Sequence, residues 1–179
     1  MANICTSTIR FYGEREDIVR LVTDIKDVCT NADGNILADV WIGELLRKMG
    51  QDNVDDIKQS EMDLRGSISS CSNFEWMLME ESAVQFEMYI DSKWVPPVDW
   101  MYAVAEHYNL GMAFLAEEYG CEIYCTNDFD VFHDYTYSVY NHESGEQMYF
   151  ATLDEAKEYI ADNNLTKENY SMYELEEWC

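Results

Sequence analysis

The sequence predicts an α+β protein: a ferredoxin-like split βαβ core, in which an antiparallel sheet carries helices on one face, plus a C-terminal β-hairpin and helix extension. Two periodicities support this fold class, because period-two alternation of apolar residues marks strands and a spacing of three to four residues marks helices. The chain has 179 residues, of which 47% are hydrophobic and 14% aromatic, so it can build a core. We expect the core over residues 1–120 and the extension, packed on it, over residues 121–179.

The predicted core opens with a strand, a helix and a second, inserted helix. Alternating apolar residues over Ile4–Phe11 predict the strand. Glu16–Cys29 carries apolar residues at helical spacing with charged residues between them, and a short helix follows around Val40–Met49. The polar stretch Gln51–Glu61 predicts a loop.

Two further strands and a helix complete the predicted core. Leu64–Cys71 is a weaker strand, and Val84–Asp91 is the clearest one because its apolar residues all fall on one face. The pair Pro96-Pro97 predicts the start of a helix, since proline is tolerated in a first turn. Met112–Glu117 then predicts the last strand of the core.

The extension begins with a strand-like segment, Cys121–Thr126. A hairpin should follow, in which Val131–Tyr140 pairs with Gln147–Ala151 across a glycine-containing loop. Leu153–Asn163 predicts an amphipathic helix. Ser171–Glu174 fits a capping box and predicts a short terminal helix.

Net charge is the most informative feature for function. The chain carries 36 acidic and 11 basic residues, a formal net charge of −25. Residues 1–74 hold 13 acids and 8 bases, whereas residues 75–179 hold 23 acids and 3 bases. Repulsion of this size destabilises a compact state, so the concentration of charge suggests a basic binding partner. Halophilic adaptation, the general alternative, would acidify the whole chain.

Composition argues against membrane insertion and against direct contact with nucleic acid. No apolar run reaches the roughly 18 residues of a membrane helix, and the start of the chain has no signal-peptide pattern. We therefore expect a cytosolic protein whose six cysteines are reduced and mostly buried. Duplex binding depends on Lys and Arg that neutralise phosphates, and residues 75–179 offer only three lysines.

The sequence contains no recognisable motif for a metal, a cofactor or catalysis. Asp128–Asp134 lacks the glycine and terminal glutamate of a calcium loop, and Cys121 and Cys125 lack a second ligand pair for zinc. A nucleophile elbow, a phosphate-binding loop and a dinucleotide motif are also missing. We expect no metal, no cofactor and no enzymatic activity. A Cys–His pair or a composite acidic site assembled by folding stays open as the enzymatic alternative.

A family resemblance adds an expected origin. The segments that carry it are Trp94–Trp100, Val104–Tyr108, Glu117–Gly120 and the opening Asn3–Thr8. In these segments, which lie mainly within residues 83–120, the chain resembles the YubB-like ferredoxin-like proteins of conjugative plasmids and phages. The resemblance implies a mobile-element protein with a ferredoxin-like core, and it brings no catalytic residues. We interpret the Trp-Pro-Pro turn as a structural element that fixes the approach of a helix to the sheet.

The predicted binding surface combines acidic and aromatic residues in the C-terminal part. Asp154, Glu158 and Asp162 lie four residues apart and form one carboxylate row, with Lys157 as the only base on that helix. Tyr and Trp bury interface area at low entropic cost. The full predicted set is Asp128, Asp130, Asp134, Glu143, Glu146, Asp154, Glu155, Glu158, Asp162, Tyr173, Glu174, Glu176, Glu177 and Trp178.

These residues predict a non-enzymatic anti-defence protein that binds and inhibits a basic, nucleic-acid-binding host protein. The acidic surface would mimic a phosphate backbone. A compact chain of this length spans about 40 Å, over which duplex DNA presents roughly two dozen charges. For a phage or plasmid protein the expected target is a CRISPR effector, a restriction enzyme or a related nuclease. The alternatives are an enzyme with a composite acidic site and a structural or regulatory mobile-element protein whose acidity only aids solubility.

Overall fold

The computed structural model of the chain describes residues 3–59, 61–71, 74–80, 84–118, 120 and 122–178. The chain separates into two compact units, Met1–Ile123 and Tyr124–Cys179. The boundary expected from the sequence follows residue 120. Among the described residues, no helix combines the length and the hydrophobicity that crossing a bilayer requires.

The first unit is a mixed α+β fold. Its strands are β1 (Ile4–Tyr12), β2 (Val40–Trp41), β3 (Gly66–Cys71), β4 (Gln85–Lys93) and β5 (Gly111–Glu118), and its helices are α1 (Arg15–Val28), α2 (Gly43–Lys48), α3 (Phe74–Met79) and α4 (Val98–Tyr108). The strands of this unit follow the order β5-β1-β4-β3-β2. Each neighbouring pair in this order is antiparallel.

Alternation along the central strands separates a buried face of the sheet from a polar face. The buried residues of β1 are Cys5, Ser7, Ile9 and Phe11, and their cross-strand partners on β4 are Ser92, Ile90, Met88 and Phe86. On the polar face, Thr6 Oγ1 donates to Asp91 Oδ1 (3.1 Å), and Arg10 Nε pairs with Glu87 Oε2 (2.7 Å). The period-two pattern of the sequence therefore determines which face of the sheet joins the core.

The two longest helices of the first unit pack against this sheet, α1 on β4 and α4 on β5. The buried stripe of α1 is Ile18, Leu21, Val22 and Ile25, and that of α4 is Trp100, Met101, Val104, Ala105 and Tyr108. Two hydrogen bonds orient α4. The Trp100 indole N–H donates to the carbonyl of Ile42 (3.0 Å), and the Tyr108 hydroxyl donates to Asp24 Oδ2 (2.8 Å).

The second unit contains a small antiparallel sheet and a helix. Its elements are β6 (Ile123–Thr126), which begins at the unit boundary, β7 (Tyr137–Asn141), β8 (Gln147–Phe150), α5 (Leu153–Asp162), β9 (Tyr170–Glu174) and β10 (Glu176–Glu177). The sheet has the order β8-β7-β9, and α5 contacts both β7 and β8. β10 pairs in parallel with β6.

Most predicted elements are confirmed, as is the mixed α+β class. The strands predicted at Ile4–Phe11, Val84–Asp91 and Met112–Glu117 and the helices predicted at Glu16–Cys29, after Pro96-Pro97 and at Leu153–Asn163 are all present, with small shifts at their ends. The inserted helix is shorter than expected, because Val40 and Trp41 form an edge strand on β3 before it begins.

The predicted terminal helix is wrong, one helix was not predicted, and the predicted strand Val131–Tyr140 is confirmed only from Tyr137, where β7 pairs with β8. Val131–Thr136 forms turns and a 3-10 helix instead of a strand, because Asp128 Oδ1 accepts the N–H groups of Asp130 (3.0 Å) and Val131 (3.2 Å) and bends the chain. Tyr170–Glu174 is a strand paired with β7 and not the start of a helix. The unpredicted helix, α3, has only six residues, too few for a periodic signal. Cys121, where one predicted strand begins, lies outside the described residues.

Candidate partner-binding site

The helix that carries the predicted carboxylate row begins with a capping box. Thr152 Oγ1 accepts the N–H of Glu155 (3.3 Å), and Glu155 Oε2 accepts the N–H of Thr152 (3.0 Å). These bonds satisfy backbone donors that have no partner within the helix itself. Ala156 is fully buried, which fixes the inward face of α5. The residues of the predicted row, Asp154, Glu158 and Asp162, are all exposed.

A groove of about 540 Å³ lies between α5 and β8. We call it the acidic–aromatic groove; its lining is Asp134, Tyr149, Phe150, Ala151, Glu155, Glu158, Tyr159 and Asp162. The four helical residues are spaced i, i+3, i+4 and i+7, so they share one face of α5. Folding thus adds Asp134, from the 3-10 turn before β7, to three carboxylates of the helix.

Aromatic contacts build the apolar part of this groove. The Phe150 ring lies 5.3 Å from the Tyr159 ring, centroid to centroid, and this pair joins β8 to α5. The Tyr149 ring lies 5.0 Å from that of Tyr135, which lies 6.0 Å from that of the buried Phe132. Such pairs contribute about 0.5–1.5 kcal/mol each beyond the burial of their area. The carboxylates of the groove therefore stand beside a packed aromatic wall.

The acidic charge of the second unit is not neutralised by its own lysines. Residues 124–179 contain 13 acidic residues and two lysines, Lys157 and Lys167. Within the described part of the chain neither lysine forms an ion pair, and His133 Nε2 lies 3.2 Å from Asp134 Oδ1. That contact is ionic only when the imidazole is protonated. The negative potential of this unit is therefore available to an external cation.

The first unit differs, because its basic side chains are largely paired with carboxylates. Arg10 contacts Glu87 and Arg65 contacts Asp63, both at 2.7 Å. Arg47 and Lys48 pair in the same way with Asp55 and Asp27 at 2.7 Å. The carboxylates of the second unit are thus less compensated by basic side chains than those of the first unit.

The remaining predicted residues do not line the groove. Asp128 is a turn residue whose carboxylate caps two backbone N–H groups. Glu143 Oε1 accepts from Asn169 (3.1 Å) and Glu174 Oε1 accepts from the Tyr137 hydroxyl (3.1 Å). The exposed members of this group are Asp130, Glu143, Glu146, Asp154, Glu174, Glu176 and Glu177, and the half-buried ones are Asp128, Tyr173 and Trp178.

The groove also contains residues that the sequence prediction left out. Tyr149, Phe150, Ala151 and Tyr159 are absent from the predicted set, although all four line the groove. Asp154, which the prediction includes, lies on α5 but is not a lining residue. The signal for Tyr159 was present in the sequence, since it falls on the same helical face as Glu155 and Asp162.

The chemistry that this arrangement supports is the binding of cations. Among the described residues, no three His, Cys, Asp or Glu side chains converge as a possible metal site. Carboxylates beside aromatic rings suit guanidinium and ammonium groups, which form charge-assisted hydrogen bonds with the former and cation–π contacts with the latter. Comparison of the chain with protein-family models, with curated proteins and with solved structures finds no match, so the groove itself carries the functional conclusion.

Proposed function

We propose that this protein binds a basic, nucleic-acid-binding protein through the acidic–aromatic groove and inhibits it by occupying its phosphate-binding surface. One observation supports this most directly: four carboxylates and three aromatic rings line a single groove. The two lysines of the same unit form no ion pair among the described residues. The protein acts as a binding partner of its target and not as an enzyme.

The physical basis of the proposal is the similarity between carboxylate and phosphate as hydrogen-bond acceptors. Lys and Arg side chains that normally bind phosphate oxygens would bind carboxylate oxygens with similar geometry. Arginine also packs its planar guanidinium on aromatic rings, which the compact ammonium of lysine does less well. We therefore expect the groove to prefer arginine. An exposed ion pair contributes only about 0.2–1 kcal/mol, so affinity depends on several pairs forming at once.

For the first unit we propose a ferredoxin-like split βαβ fold. The strand order β5-β1-β4-β3 supports it, together with the antiparallel pairing of these strands. The placement of α1 after β1 and of α4 after β4 supports it as well. The strand β2 and the helices α2 and α3 are then additions to that core. A fold of this kind does not define a function, so the inhibitory role is assigned to the second unit.

The resemblance to YubB-like proteins guides the choice of target. For a plasmid or phage protein in the cytosol of its host, the natural targets are defence nucleases such as a CRISPR effector or a restriction enzyme. Such enzymes hold nucleic acid in positively charged channels. A pull-down from host lysate at low and high salt identifies the target, since a partner bound by exposed charges is released at high salt.

A competition assay tests the proposed mechanism. The target is loaded with labelled duplex or guide RNA, and increasing amounts of this protein are added before electrophoresis. Progressive release of the nucleic acid is the expected result. A stable ternary complex would contradict mimicry and would indicate an allosteric inhibitor or an adaptor.

Two variants with the same loss of charge distinguish the contribution of the groove helix to target affinity from that of net charge. The first variant carries Asp154→Asn, Glu158→Gln and Asp162→Asn, and the second carries Asp33→Asn, Asp52→Asn and Glu106→Gln. All six positions are exposed, and each variant removes three negative charges. We expect the helix variant to lose about tenfold in target affinity, and the control to stay near wild type. Equal losses in both, measured by calorimetry, would show that only net charge matters.

A further inference from the structure

A second cavity, of about 580 Å³, lies in the first unit at one end of the polar face of the sheet. It opens between β2, residues 57–59 and 61–65, and the adjoining ends of β1, β3 and β4. Its apolar lining consists of Ile4, Trp41, Ile57, Met62 and Leu64. Small-molecule sites typically measure about 300–1,000 Å³ and are mostly apolar with a few polar groups. This cavity therefore has the size and the lining of a ligand site.

The walls of this cavity are held by hydrogen bonds. The Trp41 indole N–H donates to the carbonyl of Leu64 (2.7 Å), which fastens residues 61–65 to the edge strand. Arg65 Nη2 contacts Asp63 Oδ2 (2.7 Å), and the Arg65 backbone N–H donates to Asp63 Oδ1 (3.0 Å). The Arg65 guanidinium lowers the pKa of Asp63, so this pair is ionised and internally compensated. The site is thus preformed.

Among the described residues, the charged groups that remain around the cavity carry one net negative charge. Besides the Asp63–Arg65 pair, the lining contains Asp39, Asp91 and Lys93. Asp91 Oδ1 accepts a hydrogen bond from Thr6 Oγ1. Within the described residues, neither Asp39 nor Lys93 forms an ion pair. The chain as a whole, at −25, also repels anions.

We infer that this cavity binds a small organic cation, with an apolar or aromatic body against Trp41, Met62 and Leu64 and an amine or amidine group near Asp39 and Asp91. The apolar lining supplies the binding energy through burial of the body of the ligand. The carboxylates select the sign of its charge. This site is independent of the acidic–aromatic groove and of the proposed inhibition.

Three aromatic probes of similar size and different charge test the inference. Benzamidine is cationic, benzyl alcohol is neutral and benzoate is anionic. Each is titrated into isotope-labelled protein at physiological ionic strength, about 0.15 M, and amide NMR shifts are followed. We expect saturable shifts at residues such as Met62 and Ser67 for benzamidine, smaller ones for benzyl alcohol and none for benzoate. Benzoate binding as tightly as benzamidine, or no saturable shift at the cavity, would overturn the inference.

We expect two variants to change the affinity for benzamidine in opposite directions. Asp39 has a left-handed backbone (φ 58°) that asparagine also adopts, so Asp39→Asn removes the charge and preserves the turn. It should weaken benzamidine binding about fivefold, and Lys93→Gln should strengthen it by a similar factor. Glu106→Gln, at an exposed position of α4, should leave the affinity at the cavity unchanged. Equal affinity in wild type and the Asp39 variant would refute the assigned selectivity.

Discussion

At the residue scale, the Cys5 thiol shows how burial decides the chemistry of a side chain. Cys5 lies on β1 with no exposed surface, and burial raises its pKa from 9.0 to about 11. The reactive form of cysteine is the thiolate, so a thiol that keeps its proton at neutral pH is poorly suited to nucleophilic catalysis. Among the cysteines that could belong to a Cys–His pair, Cys5 is therefore a structural residue.

The same pKa shift predicts that alkali destabilises the fold. Between about pH 9 and 11 the folded protein retains the Cys5 proton while the unfolded chain releases it. The free energy of unfolding should therefore fall as pH rises through this range, by on the order of 2–3 kcal/mol. Denaturant unfolding of wild type and of Cys5→Ala measures this contribution as the difference between their pH dependences, which cancels the tyrosines. Identical pH dependences would contradict the raised pKa.

Trp94 occupies a backbone conformation that is unusual for a bulky residue. Its φ is 74°, and the N–H of Val95 donates to the carbonyl of Lys93 (2.9 Å) across it, which closes a γ-turn. Its side chain is 44% exposed, whereas Pro96 and Pro97 are buried. The prolines of this segment thus pack inside, and the strained residue stands at the surface.

This strain predicts an order of stability between two variants. Trp94→Gly and Trp94→Ala lose the same indole, but only glycine adopts a positive φ without a Cβ clash, which costs roughly 1–2 kcal/mol. The glycine variant should therefore be more stable than the alanine variant by about 1 kcal/mol, reduced by the greater freedom of glycine in the unfolded chain. Chemical denaturation of both variants gives the comparison. An alanine variant of equal or higher stability would rule out a strained turn.

At the element scale, periodicity separates what could be predicted from what could not. α1 and β4 have apolar residues at the spacing of their own structure, so sequence alone locates them. Tyr170–Glu174 became a strand because β7 provides its pairing partner, and a local capping pattern cannot reveal a partner distant in the chain. Prediction of the groove from sequence is limited in the same way. The helical spacing places Glu155 and Asp162 on one face, but only folding adds Asp134.

Two substitutions in the capping box of α5 separate the contribution of the cap to stability from the contribution of the Glu155 carboxylate to binding. Thr152→Ala removes the cap and keeps Glu155, and it should lower the free energy of unfolding by about 1 kcal/mol. Glu155→Gln preserves a capping box, because glutamine can accept the same backbone N–H, but it removes one carboxylate from the groove. It should reduce target affinity two- to fivefold with little change in stability. Unfolding curves measure the stability of both variants, and calorimetry measures their affinity for the target. If Glu155→Gln lost as much stability as Thr152→Ala, the two roles of Glu155 could not be separated.

At the scale of the whole molecule, charge is distributed unevenly between the two units. The first unit pairs many of its bases with carboxylates, whereas the second has 13 acidic residues and two lysines without ion pairs among the described residues. Like charges in such a unit repel each other, and hydrophobic and hydrogen-bonding terms have to offset that repulsion. Under the proposed function, binding of a cationic partner accounts for a surface that carries this cost.

This distribution predicts that the rate of association with the target depends on salt more than the rate of dissociation does. Exposed charges attract over a Debye length of about 10 Å at 0.1 M salt and about 30 Å at 0.01 M, so long-range steering weakens as salt rises. The association rate constant should fall at least tenfold between these two conditions, while the dissociation rate constant, set by short-range contacts in the groove, should change less. Stopped-flow or surface-based kinetics measure both constants. The variant with Asp154→Asn, Glu158→Gln and Asp162→Asn should show a shallower salt dependence of association than wild type. Association rates of wild type that stay constant over this range would mean that the aromatic residues, and not the carboxylates, drive recognition.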